Sequence, residues 1–270
     1  MRAFAHHFSF EFRSGLRDKN QMLMNYLMPL GVYALLSLLM TQINPFFKET
    51  MIPAMTVFAL LSSTLLGLPG PHVAAREAGV FRSYKINGVP AISILAIPAL
   101  TTALHMVLVT AVILLTGPLL FGGRAPSVWL GFGLVFLAAV FACAGLGVLI
   151  GVISANSNAT VLWSQLIFLP SMIVGGMMVP TSLLPEAVTR IAWLLPASQA
   201  MNAFQGLAMG IPGAVRPMLS VGILVVGGLT AFLLAAHLFN WDSRSDARPS
   251  RRFLALLTLL PYVIGMVLLA

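Results

Sequence analysis

The sequence predicts an all-α polytopic membrane protein, and three observations carry that prediction. Seven long apolar stretches occupy most of the 270 residues. Charged residues make up only 8% of the chain against 59% hydrophobic ones, with a mean hydropathy of +0.96, whereas a soluble domain carries about 25% charged residues. The basic residues between the stretches fall almost entirely on one side.

The first element precedes the membrane. Phe4, Phe8, Phe12 and Leu16 recur every four residues, which places them on one face of a helix. Arg13, Arg17 and Lys19 flank that face within reach of lipid headgroups. Residues 3–18 therefore read as an N-terminal amphipathic helix lying in the interface, with a disordered basic tail as the simpler alternative. The first apolar run begins only near Gln21 and leads into a full span without a small-residue cleavage motif, so no cleavable signal peptide is expected.

A helix needs about 20 apolar residues to cross about 30 Å of hydrocarbon. Spans are predicted near residues 22–41, 52–70, 91–121, 127–154, 160–180 and 217–239. The third and fourth are long enough to tilt or to project beyond the bilayer. Within the fourth, Ala139, Cys143, Gly147 and Gly151 recur at intervals of four. Such a face lets another helix approach closely, and is more often met within one chain than between subunits. The seventh stretch, 253–270, is short and contains Pro261. It reads as an extra C-terminal span, with an interfacial or re-entrant helix as the alternative. Residues 1–240 thus form the transmembrane domain, and 241–270 a basic loop with the extra span.

Charge placement sets the orientation. With the N-terminus in the cytoplasm, the inner segments hold Arg2, Arg13, Arg17, Lys19, Arg76, Arg82, Lys85, Arg244, Arg248, Arg251 and Arg252, eleven in all. The outer segments hold four, Lys48, Arg124, Arg190 and Arg216. This is the positive-inside pattern. The formal charge of +8 therefore belongs to topology and anionic lipid, and no nucleic-acid partner is expected.

Three connections carry further signal. Residues 71–85, between spans two and three, mix helix formers with both charge signs and end at Gly88 and Pro90, as a short charged surface helix would. A solvated loop that only supplies inner charge is the plainer reading. Between spans five and six, Pro185 and Glu186 open one short helix, since proline is tolerated in a first turn. Pro196 breaks it, and a second helix runs over 197–209 to Gly210 and Pro212. Both are too short to cross, so they read as outer re-entrant or interfacial helices, tolerated where protein or a water cavity satisfies their backbone. The uncharged inner turn 154–160 supplies small polar residues that can cap the flanking helices.

Chemistry inside the spans is sparse. They contain no Asp, Glu, Lys or Arg, and their only histidines are His105, near the middle of span three, and His237, near the inner end of span six. His105 either lines a pathway or is hydrogen-bonded within the bundle, and the second is the plainer reading. Asn25, Gln165 and Ser171 are candidates for interhelical hydrogen bonds, worth about 1 kcal/mol each. A proton- or sodium-coupled carrier generally needs an intramembrane carboxylate, and no inverted repeat is visible. An intramembrane hydrolase would need a His/Glu metal motif or paired aspartates, and neither occurs. Cys143 is the single cysteine, so no disulfide framework or thiolate metal site is expected, and no catalytic residue is assigned. In span five, Met172, Met177 and Met178 sit beside Gly175 and Gly176. Flexible thioethers there could form an adaptable apolar surface along a substrate pathway, or simply pack.

The order of these parts resembles the membrane subunit of type-2 ABC transporters, the ABC-2 permease family. The matching residues are Arg76-Glu77-Ala78-Gly79, followed by Arg82 and Lys85, then Leu184-Pro185 and Leu195-Pro196 with Asn202-Ala203-Phe204-Gln205-Gly206-Leu207. The likeness covers roughly residues 1–240, and the seventh stretch departs from the usual six-span plan. The resemblance implies a six-span core with an interfacial N-terminal helix, a cytoplasmic coupling helix and outer re-entrant helices. It implies half of a transporter in a prokaryotic plasma (inner) membrane, paired with a second permease, identical or paralogous. Each would dock a cytoplasmic ABC ATPase, two per transporter, through Arg76, Glu77, Gly79, Arg82 and Lys85. The chain has no G-x-x-x-x-G-K-[ST] phosphate loop, so ATP and magnesium would belong to that partner and no cofactor to this chain. The expected cargo is a lipid-like, drug-like or amphipathic molecule moved outward. A glycan or glycolipid exporter is the alternative within transport, a membrane scaffold or assembly factor the alternative outside it, and a secondary carrier the third.

Overall fold

In the computed structural model, which describes residues 2–44, 46–179, 184–241 and 253–269, every regular element among the described residues is helical. The elements are α1 (Arg2–Gly15), α2 (Lys19–Ile43), α3 (Phe47–Glu77), α4 (Val80–Ile86), α5 (Ala91–Phe121), α6 (Trp129–Ile153), α7 (Ser157–Val174), α8 (Glu186–Ala192), α9 (Pro196–Ala203, continued by the π turn Phe204–Ala208), α10 (Pro217–Leu238) and α11 (Phe253–Leu269). Six of them, α2, α3, α5, α6, α7 and α10, are long and apolar enough to cross a membrane.

α3 and α6 are buried along most of their length and form the centre, while α2 and α7 are mostly exposed. α10 lies along α6, and α11 lies on α10. Close approach depends on small residues. A Cβ on Gly147 would overlap the Thr64 carbonyl oxygen of α3, and one on Gly151 would meet His72 at 3.2 Å. On the other side of α6, a Cβ on Gly145 would lie 2.9 Å from the Gly228 carbonyl of α10. Lipid tails give helices no hydrophobic reason to associate, so the small-residue face of α6 works by bringing backbones within van der Waals range inside the one chain.

Several boundaries differ from expectation for physical reasons. Span two is not confined to 52–70. It continues without interruption to Glu77, passing through a π-helical stretch, Ser62–Gly67. There the Ser62 and Thr64 hydroxyls donate to carbonyls of their own helix at 3.0 and 2.6 Å, a competition that loosens the ladder. Span five stops at Val174 rather than near 180, because Gly176 adopts φ 81, so Met177 and Met178 lie beyond the helix. α1 ends at Gly15 and leaves Leu16 in the following turn, 41% exposed. Pro196 heads the second of the two short helices instead of only ending the first. At the turn between α6 and α7, the Asn156 side chain accepts from the Ala159 N–H at 2.9 Å and caps α7. The predicted basic loop 242–252, with Arg244, Arg248, Arg251 and Arg252, lies outside the described residues.

Candidate functional site

The candidate site begins where α3 ends. Ala78 closes the helix, and Gly79 takes the left-handed conformation, φ 75, which costs a glycine least. The chain turns there into α4. Residues 71–85 are therefore two helical pieces: the last turns of the membrane helix itself, then a short helix set against it.

Arg76 and Arg82 part company at this turn. Arg76 is buried, with its guanidinium at the C-terminal end of α6. Nη1 donates to the Val152 carbonyl at 3.0 Å and more weakly to that of Gly151 at 3.4 Å, and Nη2 donates to the Ser154 carbonyl. A helix C-terminus leaves carbonyls without partners and carries partial negative charge, so a planar cation with several N–H groups fits it well. Glu77, Arg82 and Lys85 are exposed, and Ile86 is 85% exposed beside them. Of the five residues expected to meet an ATPase, Arg76 points into the bundle, Gly79 makes the turn, and Glu77, Arg82 and Lys85 face outward.

α4 is fixed from beneath. Phe81, buried, lies 4.9 Å from the His72 ring of α3 and 5.7 Å from Phe239, just past the end of α10. On another side Tyr84 comes close to Glu11 of α1. Burial, and then the Glu11 carboxylate, raise the Tyr84 phenol above its ordinary pKa, so it stays neutral at physiological pH. A small cavity of about 90 Å³ lies among these parts, bounded by Glu11, Gln21, Asn25, His72 and Tyr84.

His105 belongs to this end of the molecule as well. Its ring stacks on Phe12 of α1 at 4.6 Å, and its Nδ1 is hydrogen-bonded to the Tyr26 hydroxyl of α2 at 2.6 Å. A Cβ on Gly15 would lie 3.3 Å from its Nε2. His105, near the middle of α5, is thus level with the first turns of α2. α5 has 31 residues and is about 46 Å long, so its early turns project past the start of α2. Hydrogen bonding within the bundle, rather than exposure to a pathway, describes this histidine.

The opposite end carries α8, α9 and two cavities. Met177, buried, and Met178, half-buried, line one of about 330 Å³ together with Asn44, Glu49 and Gln205. Met172 lies apart from them, half-buried on α7. Pro185 caps α8, and Glu186 pairs with Arg190 one turn later at 2.6 Å. Asn202 of α9 is fully committed, donating to the Val215 carbonyl and the Ser220 hydroxyl, each at 2.8 Å, and accepting from the Val215 N–H at 2.9 Å.

The buried residues of α7 are Thr160, Ser164, Phe168 and Ser171, a stripe at helical spacing made mostly of hydroxyls. Ser164 Oγ, Ser171 Oγ and Gln165 Oε1 have no hydrogen-bond partner, so the bonds expected of Gln165 and Ser171 are not made. The interhelical bonds that do form include Tyr33 to the Thr116 hydroxyl at 2.8 Å and Ser63 to the Met24 carbonyl at 3.2 Å. The four-residue spacing of Thr160, Ser164 and Phe168 was the available signal.

A family model described as "ABC-2 family transporter protein" matches residues 39–237. That interval runs from the last turns of α2 to the last turn of α10 and leaves out α1 and α11. No curated protein and no solved structure matches the chain.

Proposed function

The chain belongs to the ABC-2 transporter family, a membrane component that works with an ABC ATPase, and from that premise we propose that α4 receives the ATPase stroke and hands it to three membrane helices at once. The observation that carries this reading is the attachment of one short helix to several long ones. α4 follows directly on α3, touches the end of α10 through Phe81 and Phe239, and lies one turn from Arg76, which grips the end of α6. A displacement of α4 is therefore felt by the central helices without passing through a flexible loop. Arg82 and Lys85 would meet acidic or carbonyl groups of the ATPase, with Glu77 and Ile86 at the edge of that contact.

The pathway would follow the inward stripe of α7 toward Met177 and Met178. Unpaired hydroxyls at Ser164 and Ser171 suit a seam that opens to a polar group and closes when it has passed. The thioethers at its end can repack around an apolar one. These features favour an amphipathic cargo moved away from the α4 end. α2 and α7 leave most of their surface uncovered, and a second permease or lipid would lie there.

The test is affinity purification of the tagged protein from its native membrane, followed by ATPase and flux assays in vesicles. An ATP-hydrolysing subunit should co-purify and drive cargo movement, and Arg82→Glu with Lys85→Glu should break the association. Absence of any ATPase would favour the scaffold reading. Flux driven by a proton or sodium gradient without ATP would favour a carrier.

A further inference from the structure

Beside the cavity at Met177 and Met178 lies a second one of about 380 Å³, between α8, α9 and the end of α11. Gln205, in the π turn that continues α9, borders both. Trp193 and Leu269 form an apolar wall, buried together in a small cluster with Tyr262 and Ile223. Ser198 also faces this cavity. It is only 3% exposed, yet its Oγ has no hydrogen-bond partner. Glu186 and Arg190 stand at the rim as a closed ion pair, 2.6 Å apart.

We propose that this cavity binds a neutral, hydroxyl-bearing head group of the glycosyl class. The paired Glu186 and Arg190 leave the site without net charge, so neither an anion nor a cation is favoured. A hydroxyl both donates and accepts, and it meets here an unpaired hydroxyl at Ser198, an amide at Gln205 that offers both roles, and a carboxylate beside a guanidinium. An orphaned buried hydroxyl is unfavourable until something pairs with it. The Trp193 and Leu269 wall accepts a C–H face or the start of an alkyl chain, and the volume is in the range of about 300–1,000 Å³ usual for small-molecule sites. Residues 253–269, which lie outside the family match, supply part of that wall through Leu269. As a station for cargo the site rests on the permease reading, but binding itself needs no ATPase.

The experiment uses the full chain in phosphatidylcholine nanodiscs without ATPase, so that failure of binding and failure of coupling are separate results. A photoreactive octyl glucoside is cross-linked, and the labelled peptides are mapped. Label is expected within residues 186–205. Octyl glucoside should displace it at a concentration about tenfold below that needed for sodium octyl sulfate or octyltrimethylammonium, and Ser198→Val should reduce labelling about tenfold, the size of one lost hydrogen bond. Gln205→Leu, half-buried at the rim, should reduce it similarly and serves if Ser198→Val does not fold. Glucose competing as well as octyl glucoside keeps the site and assigns it to a free sugar, whereas weak competition by glucose assigns it to a membrane amphiphile. Equal displacement by all three amphiphiles, label elsewhere, or full labelling of the folded variants overturns the proposal.

Discussion

Arg76, on the last turn of α3, donates to the Val152 carbonyl at the end of α6, 76 residues away, at 3.0 Å. Two helices that cross the bundle side by side are thereby joined at their ends as well as along their small-residue faces. Arg76, expected at a docking surface, is a structural clasp between two helices of this chain, while Arg82 and Lys85 past Gly79 are exposed.

Replacing Arg76 should therefore damage the protein itself. Arg76→Ala leaves carbonyls of Gly151, Val152 and Ser154 without their donor, at a cost of about 2–4 kcal/mol. Arg76→Lys keeps the charge but loses the fork and should fall between. Thermal unfolding of the purified protein in detergent checks this. An unchanged midpoint for Arg76→Ala would remove the clasp.

Arg82→Glu with Lys85→Glu should behave in the opposite way. Both side chains are exposed, so the cost to stability should be smaller than that of Arg76→Ala, while ATPase association and coupled transport are lost. Co-purification and ATP-dependent flux are the measurements. Normal coupling in the double variant would move the docking surface elsewhere.

Gly147→Ala should destabilise the α3–α6 contact, since the new methyl overlaps the Thr64 carbonyl oxygen. Overpacking of this kind costs about 1–3 kcal/mol. Gly133→Ala, on the same helix with nothing within 4 Å of its Cβ, is the matched control and should be neutral or slightly stabilising. Comparing the two melting temperatures separates close packing from helix propensity.

Tyr26→Phe removes the 2.6 Å bond to His105 while keeping the ring. The loss should be about 1 kcal/mol and should be local, because His105 is also what Phe12 of α1 stacks upon. Faster hydrogen exchange confined to α1 and the first turns of α2 is the expected signature. Unchanged exchange in α1 would mean that other contacts hold it.

Met178→Gln should change which cargo stimulates the ATPase of the reconstituted complex, because Met178 borders the cavity near Asn44 and Glu49. The effect should be a several-fold shift in half-maximal cargo concentration, equivalent to about 1 kcal/mol. Met172→Gln, which lies apart, should shift it less. Identical profiles for both variants would exclude Met178 from the pathway.

The apolar runs and the one-sided charge were enough to identify an all-α membrane bundle, its six helices of crossing length and the two short helices before α10. Those features are local: run length sets a span, and glycine or proline sets where a helix ends. The same runs also suggested a seventh span at 253–270, where the structure has a shorter helix, Phe253–Leu269, and they did not show the turn after Glu77. Tertiary structure alone decided that Arg76 turns inward, that His105 sits beside the start of α2, and that Ser164 and Ser171 of α7 face inward without partners. In a bilayer both the packed and the lipid-facing sides of a helix are apolar, so hydropathy cannot say which side is which. A guanidinium's choice between a partner protein and a helix end is likewise settled by which backbone lies within 3 Å, and that depends on residues 76 and 78 positions away.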